Sequence, residues 1–218
     1  ARTPFLDVVD KMPRPGDRVY FYGAALYRHS ILLAGSVANP DEVYSHRDHP
    51  DKIHIVRTLE VTSPSPPGTS GGPWVDESGR VIGNQSGFVN HKDVSAGIAE
   101  LGRPDAIRRL LETRKSPVLP TIGCAFEELW TQPAGFINRF PKGTEGLITI
   151  PIVNGGQAAK AGLTRESLVV AVDGNTVRYT ADGYRILLAK KPGDSLTLKI
   201  MDPDRPGKRD VTLTVGEL

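Results

Sequence analysis

From Arg18 to Val75 the chain alternates short β-rich runs with clusters of Gly, Pro, Asn and Asp. The runs are Arg18-Val-Tyr-Phe-Tyr22, Ser30-Ile-Leu-Leu33 and Lys52-Ile-His-Ile-Val-Arg-Thr-Leu-Glu-Val61. Their length and spacing predict a sandwich or barrel. Asp76-Glu-Ser-Gly79 reads as a turn, because Gly79 tolerates a positive φ, and Arg80-Val-Ile82 and Ser95-Ala-Gly-Ile98 continue as strands. Pro104 can open a helix in which Ile107, Leu110 and Leu111 form the apolar stripe and Arg103, Arg108 and Arg109 face water. Two prolines in Lys115-Ser-Pro-Val-Leu-Pro120 then block further helix and mark a linker.

Beyond that linker the pattern changes. Strands are expected at Thr121 to Phe126, Gly146 to Ile152, Ser167 to Val172, Ser195 to Met201 and Arg209 to Val215. Helices are expected at Gln157 to Ala161 and Ala181 to Lys190, and Asp173-Gly174 is a strong hairpin-turn signal. The organisation is therefore an all-β unit with a closing helix over 1–112, a linker over 113–119, and a small mixed α/β unit over 120–218.

Composition narrows the function. An apolar share of 39% supports packed cores, and no apolar run approaches a membrane span. The 27 Lys and Arg nearly balance the 25 Asp and Glu, and the net charge of +2 gives no electrostatic footprint for nucleic acid. Arg205, Lys208 and Arg209 sit among Asp202, Asp204 and Asp210, as in a solvated loop. A single cysteine, Cys124, excludes an internal disulfide and leaves the redox compartment open. Flanked by Ile122, Ala125 and Phe126, it reads as a small buried hydrophobe. Without an initiator Met or a leader, Ala1 reads as a cut end.

The segment that carries chemistry is Pro67-Gly68-Thr69-Ser70-Gly71-Gly72-Pro73. Acyl transfer by serine needs the hydroxyl on a tight turn, with backbone N–H groups converging where the carbonyl oxygen turns negative. Glycines at 68, 71 and 72 leave that space. As a bare loop, the same residues would simply supply turn geometry.

The ordered segment resembles the Gly-Asx-Ser-Gly-Gly-Pro signature of chymotrypsin-fold peptidases, with Thr69 replacing the usual Asp or Asn. Pro67 before it and Val81-Ile-Gly83 after it follow the pattern of the HtrA/Deg family, and Arg14-Pro-Gly-Asp-Arg-Val-Tyr-Phe-Tyr-Gly23 resembles the strand opening that family's second barrel. The resemblance implies a mainly β fold: the C-terminal half of a chymotrypsin-like double β-barrel, followed by a PDZ domain. It implies Ser70 as nucleophile and the N–H groups of Gly68 and Ser70 as the oxyanion hole. It implies that Asn84, Gln85 and Ser86 lie beside the substrate backbone, and that Pro64 and Ala96 line a small or apolar pocket.

The resembled family takes its histidine and aspartate from the first barrel, and neither of its segments occurs here. The chain's own histidines are His29, His46, His49, His54 and His91, the tightest group being His46-Arg-Asp-His49-Pro-Asp-Lys-Ile-His54. That spacing fits a solvated loop better than a zinc site, and the resemblance implies no metal or organic cofactor, because an oxyanion hole and a triad supply the chemistry. The absent pair leaves a fragment or cleaved chain, a partner polypeptide supplying the upstream half, or a pseudoenzyme. The first is the preferred reading.

Leu119-Pro-Thr-Ile-Gly-Cys124 resembles the carboxylate-capturing loop of HtrA-type PDZ domains, where Ile122-Gly123-Cys124 would aim backbone N–H groups at a chain terminus. Residues through Phe126 would be the edge strand for β-augmentation, with Tyr184 to Leu188 as the other groove wall. Gly155-Gly-Gln-Ala-Ala-Lys-Ala-Gly-Leu163 and Leu168-Val-Val-Ala-Val-Asp-Gly174 extend the likeness, whereas Glu127 to Phe140 departs from it and is expected to cover or reshape the groove. The family implies polypeptide substrates, peptide C-termini as ligands, homo-oligomers built by segments preceding Ala1, and a periplasmic or other extracytoplasmic site. Two functions stay open: an ATP-independent serine endopeptidase for unfolded or tagged proteins, and a non-catalytic peptide-binding scaffold.

Overall fold

The computed structural model describes residues 5–49, 52–91, 94–203, 205 and 207–218. Its contacts fall into two units, Ala1–Val43 with Arg57–Ser116, and Tyr44–Val56 with Pro117–Leu218. The second unit thus takes in a stretch that lies, in sequence, within the first.

The strands β1 (Arg18–Gly23), β2 (Ile31–His49), β3 (Lys52–Thr62), β4 (Pro73–Val75), β5 (Val81–His91) and β6 (Val94–Gly102) close a barrel in the order β1-β2-β3-β6-β5-β4, with β2 belonging to the first unit up to Val43 and β3 from Arg57 on. The period-two alternation of these strands sends Val19, Phe21, Leu59, Val61, Ile82, Ala99 and Leu101 inward around Trp74. Phe21 and Trp74 meet with ring centroids 5.8 Å apart. Asp76 accepts hydrogen bonds from the Ser78 and Arg80 N–H groups, and Gly79 takes φ +77, as the turn reading requires.

Helix α1 (Pro104–Thr113) closes the unit, with Pro at its start and Arg114 in the left-handed region at its end. Arg109 faces water as expected, whereas the expected facing of Arg103 and Arg108 is corrected. Arg103 is buried, donating to the Pro40 carbonyl (3.1 Å) and to Asp105 (3.2 Å), and Arg108 donates to the Val9 carbonyl. Their guanidinium donors are thereby fixed on backbone carbonyls far away in sequence. Leu110 and Leu111 are exposed instead.

The second unit contains β7 (Pro120–Thr121), β8 (Cys124–Glu128), α2 (Ala134–Ile137), β9 (Leu147–Ile152), α3 (Gln157–Lys160), β10 (Leu168–Val172), β11 (Asn175–Thr176), α4 (Thr180–Leu188), β12 (Ser195–Met201), β13 (Arg209–Thr214) and β14 (Gly216–Glu217). Its sheet runs β13-β12-β10-β9-β8, and β7 pairs separately with β14. Asp173 and Gly174 both have positive φ, forming the turn between β10 and β11.

All five residues of β10 are buried, because both faces of the sheet are covered. Val169 and Val172 join Ile122, Cys124, Phe126, Leu147, Tyr184 and Leu187 on one face. Leu168 and Val170 join Leu129, Phe140, Ile148 and Met201 on the other. Leu129, Phe136, Ile137 and Phe140 of the departure over residues 127–140 therefore form an apolar cover for the sheet face away from α4.

Candidate active site and peptide-binding edge

The segment between β3 and β4 is built by its glycines. Gly68 has φ +91, and a Cβ there would lie 2.4 Å from the Ala24 carbonyl oxygen. Only glycine permits both that conformation and that approach. Ala24 opens a 3₁₀ turn, Ala25–Tyr27, whose Leu26 N–H donates to Pro67 O at 2.7 Å. Leu26 and Tyr27 themselves hold positive φ, an unusual expense for non-glycine residues. Gly72 is pressed differently: a Cβ would stand 2.3 Å from Cε2 of Phe21.

Thr69 is buried and donates its hydroxyl to Pro66 O at 2.7 Å, the same carbonyl that accepts its N–H. Its side chain thus replaces an Asx side chain as the turn's internal clasp. Gly71 donates to Gln85 O (2.8 Å), Gly72 to Thr69 O (3.0 Å), and Gln85 donates back to Gly72 O (2.9 Å). Ser70 is left exposed on a turn clamped on either side. Among the described residues, neither its hydroxyl nor the N–H groups of Gly68 and Ser70 have a hydrogen-bond partner.

Of the strand expected beside a substrate, Asn84 pairs with Pro73 and Gly102. Gln85 turns its side chain inward, accepting from Trp74 Nε1 (2.9 Å) and donating to Gly87 O (2.6 Å). Both its backbone groups are taken by the glycines, so Gln85 is a brace for the Ser70 turn, a role the sequence did not suggest. Ser86 is exposed at a register shift between β5 and β6. Pro64 and Ala96 are also at the surface. His29 is exposed; the side chains of His46, His49, His54 and His91 lie outside what the structure describes. Among the described residues, no group of three His, Cys, Asp or Glu side chains is placed to hold a metal.

In the second unit Gly123 has φ +72, its N–H donates to Thr121 Oγ1 (3.1 Å), and its carbonyl accepts from Val153. Cys124 is buried, and desolvation pushes its thiol up to about 12. Strand β8 ends the sheet, paired on one side with β9. From α4, Tyr184 reaches that strand: its Oη accepts the Phe126 N–H at 2.7 Å. Burial raises the Tyr184 phenol well above its usual range, so it stays protonated. Leu188, one turn further along α4, is half-buried.

A closed barrel bearing a serine on a triply glycine-lined turn defines a class. Residues 2–83 match the model of the trypsin-like peptidase domain. Within that class the chain is similar to HtrA/Deg-type serine peptidases. It is 29% identical to mouse Serine protease HTRA4, over 93% of this chain and 41% of that protein. It is 29% identical to a probable periplasmic serine endoprotease DegP-like of Chlamydia trachomatis serovar D, over 75% of this chain and 34% of that one. The solved structure of the HtrA-type protease AlgW with a decapeptide superposes with a TM-score of 0.64 at 17% identity, covering 99% of this chain and 65% of that one. The chain spans from about a third to about half of the length of the curated relatives it matches.

Proposed function

We propose that this chain is the nucleophile-bearing part of a serine endopeptidase, with Ser70 attacking the scissile carbonyl and the Gly68 and Ser70 N–H groups stabilising the oxyanion. The observation that supports this most is that, among the described residues, those N–H groups have no partner beside an exposed Ser70, while the neighbouring Thr69, Gly71 and Gly72 N–H groups are all hydrogen-bonded. Donors held in place without a protein partner are what a developing oxyanion requires, because no reorganisation is then needed at the moment of reaction.

Acylation also needs a base for the Ser70 proton and a carboxylate to orient that base. In this reading both come from polypeptide outside the chain, in keeping with the share of its relatives that it spans. Ser86 and Asn84 flank the substrate backbone, and Pro64 and Ala96 border a small or apolar pocket. The second unit acts as a PDZ domain: Ile122, Gly123 and Cys124 face a peptide carboxylate, and β8 with Tyr184 and Leu188 forms the groove. The substrates are unfolded or tagged polypeptides, the assembly is homo-oligomeric, and the setting is extracytoplasmic, as the name of the Chlamydia relative suggests.

A fluorophosphonate probe tests the reading, because only an activated serine reacts quickly. Labelling is expected in the longer gene product that includes the upstream half, lost with Ser70→Ala, and absent from residues 1–218 alone. A longer product that is folded and unlabelled would refute the peptidase and leave the non-catalytic peptide-binding scaffold.

A further inference from the structure

We infer that the peptide-binding edge of the second unit is latched by the chain itself: the Tyr184 hydroxyl stands where a bound peptide's carbonyl would go, and a peptide binds only by displacing it. The inference rests on reading β8 and α4 as a peptide groove.

An extended peptide adds to a sheet by pairing with the N–H and C=O groups that point away from the existing neighbour. Strand β8 has β9 on one side, with Phe126 opposite Thr149. The Phe126 N–H points to the other side, where it meets Tyr184 Oη at 2.7 Å. This bond is enclosed, since Phe126 and Tyr184 are 3% and 1% exposed. The central donor of the edge is therefore already satisfied. Gly123, in the expected carboxylate loop, repeats the arrangement with the Thr121 hydroxyl as acceptor.

Three contacts hold the latch shut. Gly183 lets α4 come down on the sheet: a Cβ there would lie 2.8 Å from Leu147 Cδ1 and 3.5 Å from the Phe126 ring. At the far end of β8 the Glu128 carboxylate accepts the Thr180 N–H at 3.0 Å, tying down the start of α4. The Tyr184 ring packs against the rings of Phe126 and Tyr44, each with its centroid 5.3 Å away. Tyr44 belongs to the same unit, and Ile55 packs on the same cluster.

The consequence for affinity follows from exchange. A peptide carbonyl arriving at Phe126 replaces one hydrogen bond by another and gains little from it. Without the hydroxyl, Phe126 N–H is buried without a partner until the peptide supplies one. Tyr184→Phe should therefore tighten peptide binding by about tenfold, the equivalent of one neutral hydrogen bond.

The experiment is a fluorescence-anisotropy titration of the full chain and of Tyr184→Phe with a fluorescein-labelled decapeptide ending in Ala-Leu-Val, with a free or an amidated C-terminus. Tighter binding of the free-carboxylate peptide by the variant, at about the stated factor, supports the latch. Equal or weaker binding by a variant that still melts cooperatively overturns it while leaving the groove in place. Binding by neither protein overturns the groove, and the latch with it. Amide hydrogen exchange on the unaltered protein gives a check without any variant: Phe126 should be protected in the absence of peptide, and rapid exchange there would sink the latch.

Discussion

Gly68 and Gly71 have nearly the same backbone conformation, φ +91 and +78, but opposite surroundings. A Cβ at Gly71 would meet nothing within 4 Å, whereas one at Gly68 would press on the Ala24 carbonyl oxygen at 2.4 Å and the Tyr27 nitrogen at 3.3 Å. Alanine at 71 thus incurs only left-handed strain, about 1–2 kcal/mol. Alanine at 68 incurs the same strain and must also push the facing backbone segments away from each other. That separation stretches the Leu26 N–H to Pro67 O bond and overpacks the turn, adding on the order of 2–3 kcal/mol. In a unit of about a hundred residues each kcal/mol lowers Tm by about 4–8 °C, so the two variants should melt at least about 8 °C apart. Circular-dichroism melts of Gly68→Ala and Gly71→Ala, referred to the parent, measure the difference. Equal losses would refute the close approach of the 3₁₀ turn to Gly68, and with it the explanation of how the Ser70 turn is held.

Two further predictions concern titration. With its thiol pushed up to about 12, Cys124 should be alkylated by iodoacetamide at pH 8 on the order of a thousandfold more slowly in the native chain than in denaturant; comparable rates would contradict its burial. Asp76 feels burial, which raises its pKa, but the Arg80 and Ser78 N–H bonds and the Arg80 guanidinium outweigh it, so the net shift is downward. A carboxylate with a depressed folded pKa adds stability above its unfolded value, near 4, and loses it as pH falls through the folded value. Asp76→Asn should therefore lower stability at neutral pH and flatten the acid limb of a Tm-against-pH curve; an unchanged limb would count against the Asp76 bonds.

The Ser70 turn was legible because its requirement is local: glycine at positions of positive φ or close approach leaves a mark in the sequence itself. The same holds for Asp173-Gly174 and for Pro104. What stayed hidden depends on long-range partners. Nothing near Gln85 announces that its side chain serves Trp74 and its backbone serves Gly71 and Gly72. Arg103 and Arg108 read as solvated cations because the carbonyls they satisfy, at Pro40 and Val9, are distant in sequence. The stretch from 127 to 140 looked like an obstruction, yet Leu129 and Phe140 complete a second apolar face that the fully buried β10 demands. Likewise nothing near Tyr184 announces its bond to the Phe126 N–H.

The second unit is assembled from two separated stretches of chain, Tyr44–Val56 and Pro117–Leu218. During synthesis the first stretch emerges well before the second, and Ile53 and Ile55 have no core of their own until the whole of Arg57–Ser116 has followed them. The pairing is one of high sequence separation, which costs loop-closure entropy and slows folding. Any dissection of the gene at the linker then separates the second unit from some of its own packing. A recombinant piece beginning at Pro117 would present Tyr184 without Tyr44, and its solubility and stability would describe a different surface from that of the intact chain.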